Sequence, residues 1–333
     1  MTTLRVLKFG GSSVGASERL VRVTDLILRE QAIGPVAVVV SAMGDTTDWL
    51  IEAAHAAERG DQRVAEAVVE RVGQLALDVG LTALRELLRR PGRDEHAPAP
   101  ELPTQVSELL VPLRQVLAGV GLLRQCSAQT LDLVLSFGER LSAGILAALL
   151  RVRGQAAVAV DAREWMVTDD RFGDALVDEQ ATRTRLAVLA ATWGPAIAVH
   201  TGFLGATPDG RTTTLGRNGS DYTATLLAGA LAASEVQIWT DVPGVMTGDP
   251  TILRDAYPIA RMSYQEALEL ANFGARLFHP RTMVPLIEGR IVLRIRSTMD
   301  PEAEGTRIDE HGAPTAGPTC VTSLENLALL DIR

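Results

Sequence analysis

The chain has 333 residues, 47% of them hydrophobic, which is enough for one large domain or two lobes around a sizeable core. A net charge of −9, with no basic stretch interleaved with aromatics, argues against a nucleic-acid surface. Two distant cysteines, Cys126 and Cys320, give no disulfide framework and fit a reducing cytoplasm; the N-terminus lacks a signal-peptide pattern, and no apolar run is expected to span a membrane.

Leu4–Phe9 reads as a short apolar strand, followed by a Gly/Ser turn and an amphipathic helix over about Glu18–Gln31 with Ser17 as its expected N-cap. Val36–Val40 is an uninterrupted β-branched run of the kind buried on both faces of a parallel sheet. Residues 46–90 and 101–125 carry helical periodicity, and the Pro-rich, charged stretch Pro91–Pro103 between them reads as a surface loop. Strands are then expected at Leu131–Leu135, Ala156–Val160, Ala196–His200, Val236–Thr240 and Ile291–Ile295, the last of them closing the pattern. Helices are expected at Glu139–Arg151, Asp221–Ala232 and Tyr264–Asn272, with a long Gly/Thr-rich loop over Gly202–Ser220. Repeated strand-then-helix units imply a parallel-rich α/β sheet covered on both faces, with ligands at the carboxyl ends of the strands. Gly-rich turns fall at those ends, after Phe9, Val40, His200 and Thr240.

Lysine and arginine together number 32, and only one of them, Lys8, is a lysine. A compact ammonium and a planar guanidinium fork are not interchangeable where space is tight, so the one position that keeps Lys calls for an explanation. Lys8 precedes Gly10, Gly11 and Ser12, a turn through which backbone N–H groups can approach a phosphate. Neither the Walker A pattern nor the G-x-G-x-x-G fingerprint is present. A second cluster, Thr214–Asp221, places Arg217, Ser220 and Asp221 at a helix start; there Ser220 or Asp221 could serve as caps, or Arg217 could bind a carboxylate. A third, Trp239–Val245, puts Thr240 and Asp241 at a strand end before Pro-Gly, which suits a nucleotide contact or an ordinary turn. Ser41 with Thr46 and Thr47, the Phe137–Arg140 segment and Asp161–Arg163 are weaker signals, and His200 and His279 read as structural.

Taken together, the stretches LKFGGSSV (7–14), VVSAMGDTTDWL (39–50), SFGERLS (136–142), DAREWMVTDD (161–170), TGFLG (201–205), TTLGRNGSDYTA (213–224), IWTDVPGVMTGDP (238–250) and SYQEALELANFGARLFHPRTMVP (263–285) resemble aspartate kinases of the amino-acid-kinase family. In detail they are most similar to the kinase half of the aspartokinase–homoserine dehydrogenase type. The resemblance implies a three-layer αβα sandwich with an open, mainly parallel eight-stranded sheet in two lobes. Residues 1–205 would form an aspartate-binding lobe with a helical insert over about 46–130, and 206–308 a nucleotide-binding lobe. Residues 309–333 resemble the start of an ACT regulatory domain that stops at Arg333, which reads either as a truncated product or as a kinase lacking the amino-acid-sensing module, and catalysis without inhibition by lysine or threonine is expected.

The activity implied is phosphoryl transfer from ATP to L-aspartate, giving 4-phospho-L-aspartate and ADP, in the cytoplasm, with Mg²⁺ carried by the nucleotide phosphates. This is the first step toward lysine, threonine and methionine. L-aspartate and ATP are the expected partners, with a homo-oligomer left open and neither nucleic acid nor membrane expected. By resemblance Lys8 and Asp221 are catalytic, while Ser41, Thr47, Glu139, Arg217 and Ser220 hold aspartate. Gly10, Gly11, Ser12, Thr240, Asp241, Gly244, Met246 and Arg276 would contact the nucleotide. Arg276, Thr251 and Met246 stand where the family often has Lys, Arg and Tyr. A carboxylate acceptor, ionised at neutral pH, needs no general base, which fits the absence of a Ser-His-Asp set. Two alternatives stay open: a non-catalytic pseudokinase subunit that binds aspartate or nucleotide, and a kinase for an aspartate analogue.

Overall fold

Runs of β-branched and aliphatic residues buried on both sides, Val36–Val40 foremost, form the middle of a single eight-stranded sheet. The computed structural model describes residues 3–90, 101–273, 279–312 and 319–322. In chain order the first half comprises β1 (Arg5–Phe9), α1 (Gly11–Val14), α2 (Ser17–Ile33), β2 (Val36–Val40), α3 (Thr46–Glu58), α4 (Gln62–Leu88), α5 (Leu102–Leu123), α6 (Ala128–Val152) and β3 (Ala157–Val160). After a 3₁₀ turn at Ala162–Glu164 come α7 (Glu179–Trp193), β4 (Ile197–Thr201), β5 (Leu204–Ala206), β6 (Thr212–Thr214), α8 (Gly219–Ala230) and β7 (Glu235–Thr240). The last elements are β8 (Arg261–Ser263), α9 (Tyr264–Asn272), α10 (Pro280–Gly289), β9 (Val292–Ser297) and β10 (Thr306–Asp309).

The sheet order is β3-β4-β2-β1-β7-β9-β10-β8, with every pairing parallel except β9 with β10; β5 and β6 make a separate small hairpin. Side-chain alternation along β1 and β2 sends residues to two cores. Leu7, Phe9, Val36, Val38 and Val40 pack with α2 to α6, while Val6, Ala37 and Val39 pack with α7 to α10. The border expected at residue 205 falls inside β5, and the sheet continues from β3 to β8 without a break.

Several elements differ from expectation. Leu131–Leu135 is helical, the second turn of α6, because Ser127 caps that helix and Leu135 is buried on its inner face rather than in a sheet. Ser17 is the first residue of α2 and makes no cap bond; Ala16 occupies the cap position. The Gly/Thr-rich loop contains the β5–β6 hairpin, and β10 follows β9, so the strand at 292–297 does not close the sheet. Helix α7 gives little amphipathic signal, with Thr182 and Leu186 its buried residues. Two helices, α5 and α6, are long and apolar enough to cross a membrane by length and composition, contrary to expectation. Burial accounts for α6, most of which lies inside the helical layer, and α5 turns Leu110, Leu113, Leu117 and Val120 inward.

Candidate active site

Four neighbouring parallel strands, β4, β2, β1 and β7, end along one edge of the sheet, where loops of this fold class bind ligands. Alternation turns Lys8 to the α8 side of β1, level with Val39 and Ile238 on the adjoining strands. It is 9% exposed, and its Nζ lies 2.7 Å from Asp221 Oδ1 in the first turn of α8. Oδ1 is buried and is met there by the Lys8 charge. Asp221 Oδ2 accepts from Asn218 Nδ2 at 3.3 Å. Asn218, at the N-cap of α8 with φ +56°, caps through no side-chain bond, so Ser220 and Asp221 belong to the helix rather than capping it.

A pocket of about 230 Å³ opens beside this pair, lined by Lys8, Ser41, Thr47, Glu139, Phe203, Gly216, Asn218, Gly219, Ser220 and Asp221. The structure thus brings together six of the seven residues expected to be catalytic or to hold the amino acid. Arg217 is the exception: it is exposed beside the wall formed by its neighbours, while Gly216 and Asn218 face the pocket. It lies close enough to His279 to add to the burial and the Arg281 charge that hold that imidazole's pKa down.

Glu139, on α6, forms the far wall and is 3% exposed. Burial pushes its carboxyl up to about 8, against the pull of the Ala42 backbone N–H, its own backbone and the Lys8 charge. Its Oε2 has no hydrogen-bond partner. A buried acid with a free oxygen and no paired cation is a receptor for a ligand cation.

The β1 loop is held by backbone contacts. Gly44 N donates to Gly11 O at 3.1 Å, and a Cβ on Gly11 would lie 2.7 Å from Ala42 O, so only glycine lets the two loops approach. Gly10 N and Ser13 Oγ both donate to Trp239 O at 3.3 Å, tying the β1 loop to the end of β7. A Cβ on Gly10 would lie 3.6 Å from Lys8 Nζ, and Ser12 O accepts from Arg19 at 2.8 Å. On the β7 side Thr240 is half-buried and Asp241 exposed; the Thr240 hydroxyl donates to Asp241 at 3.2 Å. Gly244 takes φ +149° against Thr306, and Met246 bridges to Pro258. Asp249 Oδ1 caps the turn at Thr251, accepting its backbone N–H at 2.8 Å and its hydroxyl at 2.6 Å. Arg276 lies outside the described residues.

Sequence motifs did not single out Phe203, whose backbone takes φ +67° and which lines the pocket, nor Asn218 as a wall residue. Positive φ at a non-glycine residue is rare enough that only the folded backbone reveals Phe203.

Comparison with known proteins identifies the family. Among curated relatives, aspartokinase 1, chloroplastic, of Arabidopsis thaliana is 38% identical over 98% of this chain and 56% of its own length. Lysine-sensitive aspartokinase 3 of Escherichia coli is 36% identical over 92% of this chain and 64% of its own. A crystal structure of E. coli aspartokinase III with aspartate and ADP superposes with a TM-score of 0.80 at 34% identity, covering 92% of this chain and 64% of that one. The chain therefore spans a little over half to about two thirds of the length of these relatives. With the amino acid kinase family profile matching residues 3–297, almost the whole sheet and every pocket residue, the chain belongs to the amino acid kinase family.

Proposed function

We propose that this chain transfers the γ-phosphoryl group of ATP to the side-chain carboxylate of L-aspartate. The observation that carries the reading is the pairing of Lys8 with Asp221 on one wall and the uncompensated Glu139 on the other. Glu139 receives the substrate ammonium, which restores the counter-charge that burial denies it. Ser41, Thr47 and Ser220 offer hydroxyls to the amino acid, and Arg217 reaches an α-carboxylate by swinging inward from its exposed position. The reading also draws support from relatives named aspartokinases and from a solved relative that holds aspartate and ADP.

In this scheme a carboxylate oxygen of aspartate forms a bond to the γ-phosphorus while the bond from phosphorus to the departing ADP oxygen breaks. The acceptor is already an anion, so no proton has to be removed. The work is to bring two anions into line and to steady charge on the moving group. Lys8 supplies a compact cation at that point, and Asp221 aims it from the helix. Gly10 N–H is held by Trp239 O, so in this scheme the first-turn N–H groups of Gly11 and Ser12 meet the phosphates, and Thr240 and Asp241 the rest of the nucleotide. The donors at this edge are a lysine and backbone amides, which fit a metal–nucleotide complex whose Mg²⁺ rides on the phosphates. When bound, that ion neutralises phosphate charge.

Incubating the chain with ATP, aspartate and hydroxylamine tests the proposal. Aspartyl hydroxamate above the enzyme-free blank is expected, with glutamate and N-acetylglutamate giving far less. No hydroxamate despite intact aspartate binding would favour the pseudokinase; a better yield from another acid would replace the substrate.

A further inference from the structure

Asp132 lies on α6 two helical turns before Glu139, on the same side of the helix, and is 1% exposed. Its Oδ2 accepts the Gly173 backbone N–H at 2.9 Å and that of Thr214 at 3.0 Å, while Oδ1 accepts the Thr214 hydroxyl at 2.8 Å. These partners are neutral donors. A carboxylate buried without a cation costs stability, and burial pushes this one's pKa up despite the three bonds. An aliphatic residue would suit a helix that only had to pack, so the value of Asp132 lies in what it holds.

Thr214 ends β6 and leads through Leu215 into Gly216, with φ +70°, and on to Arg217 and Asn218. Gly173 leads into Asp174, whose Oδ1 would lie 2.7 Å from a Cβ on Gly216. The same Asp174 pairs with Arg281 of α10 at 2.7 Å, and Ala175 N donates to Thr214 O at 2.9 Å. One carboxylate therefore joins the helix that carries Glu139 to the two segments on which the Gly216–Asn218 wall rests.

We propose that Asp132 is a positioning residue: through Gly173 and Thr214 it sets the spacing between Glu139 and the Gly216–Asn218 wall, and so tunes affinity for the amino-acid substrate. The inference rests on the amino-acid site proposed above. It predicts an effect on the acceptor and not on the nucleotide, whose loops lie on β1 and β7.

Steady-state kinetics of the full chain with Asp132→Ala, Asp132→Asn and Thr214→Val test it. Asp132→Ala strips all three bonds and leaves buried donors unpaired; aspartate KM should rise about tenfold or more, with ATP KM within about twofold of the parent. Asn can offer its carbonyl to both amides and its NH₂ to the Thr214 hydroxyl, so Asp132→Asn should stay within about threefold. Thr214→Val removes one bond only, should raise aspartate KM about threefold, and decides the matter if Asp132→Ala does not fold. Equal rises in both KM values, a loss confined to kcat, or parental aspartate KM in the variants would overturn the positioning role while parental turnover upholds the functional reading. A parent that turns over no aspartate overturns that reading instead. Amide hydrogen exchange over residues 170–176 and 206–218 then judges Asp132 by itself: faster exchange in Asp132→Ala than in Asp132→Asn supports the role, and equal exchange sinks it.

Discussion

The two sides of the cleft are built on different principles. On the side proposed to hold the amino acid, Lys8 on β1, Glu139 on α6, and Ser220 and Asp221 on α8 are all buried side chains. The side proposed for the nucleotide relies on backbone turns, with Thr240 half-buried and Asp241 exposed. Ionisable groups follow the same division. Burial outweighs the amides and the Lys8 charge at Glu139, whereas at Asp309, on β10, burial opposes the charge but Arg307 and the His311 and Gly312 amides outweigh it and hold the carboxyl down at about 2. Selectivity for a small polar acceptor calls for groups that discriminate through buried charge, while phosphates can be held by amides that any sequence possesses.

Lys8→Arg is the strongest attempt to break that contrast. Position 8 lies in a sheet strand with Asp221 in contact, so a planar guanidinium fork would carry its charge to a different point of the pocket than the compact ammonium does. The variant should fold, since the cation and its partner remain, yet lose roughly a hundredfold or more in kcat. Near-parental turnover with an unchanged melting temperature would show that this wall tolerates shape and reads charge alone.

Glu139→Gln should weaken aspartate use by about thirtyfold or more in kcat/KM while ATP KM holds, because a desolvated ammonium loses its counter-charge. The same variant has a stability signature with a definite sign. In the folded chain the carboxyl keeps its proton up to about 8, whereas in the unfolded chain it is lost near 4.5. Between those values the folded state binds more protons, so parental stability falls as pH rises, and above about 8 the slope ends. Gln has no such slope, so the variant should gain on the parent as pH goes from 5 to 8, by a few kcal/mol at most. Parallel melting curves across that range would show that Glu139 is ionised in the free protein.

Much of this site was legible before the fold was known, because its groups cluster in short motifs at strand ends. Lys8, Gly10 and Gly11 share one turn, and Ser220 and Asp221 one helix start, so local spacing sufficed. Strands of consecutive β-branched residues were equally plain. What stayed hidden depends on distant partners: Asp132 meets Thr214 and Gly173 far along the chain, and no local pattern announces such a bond. Leu131–Leu135 read as a strand because a short apolar run looks the same in a buried helix, and α7 was missed because so little of it is buried. Arg217 shows the limit within a motif, since its place in the sequence is right while its side chain lies outside the wall.

His200, on β4 of the amino-acid half, sharpens the contrast from the acid side. It is fully buried with neither ring nitrogen partnered, edge-on to Trp165 and Trp193, and burial drives its pKa down to about 3. The unfolded chain takes up a proton near 6.5 that the folded chain refuses, so stability should fall as pH drops below 6.5, by about 2 kcal/mol at pH 5. His200→Phe should flatten that part of the profile in melting curves recorded from pH 7 to 5. An unchanged acid slope would assign it to other groups.

The smallest expected effect lies across the cleft. Asp241 is exposed and its recorded bond comes from the Thr240 hydroxyl beside it, so removing its carboxylate leaves no buried group unpaired. Water screens an exposed charge, and contacts of this kind are worth less than about 1 kcal/mol. Asp241→Ala should therefore move ATP KM by less than about fivefold and leave aspartate KM alone. A rise in ATP KM beyond about tenfold would mean that nucleotide binding closes this edge and buries Asp241. The nucleotide side would then work by buried side chains as well, and the division between the two walls would hold only for the free protein.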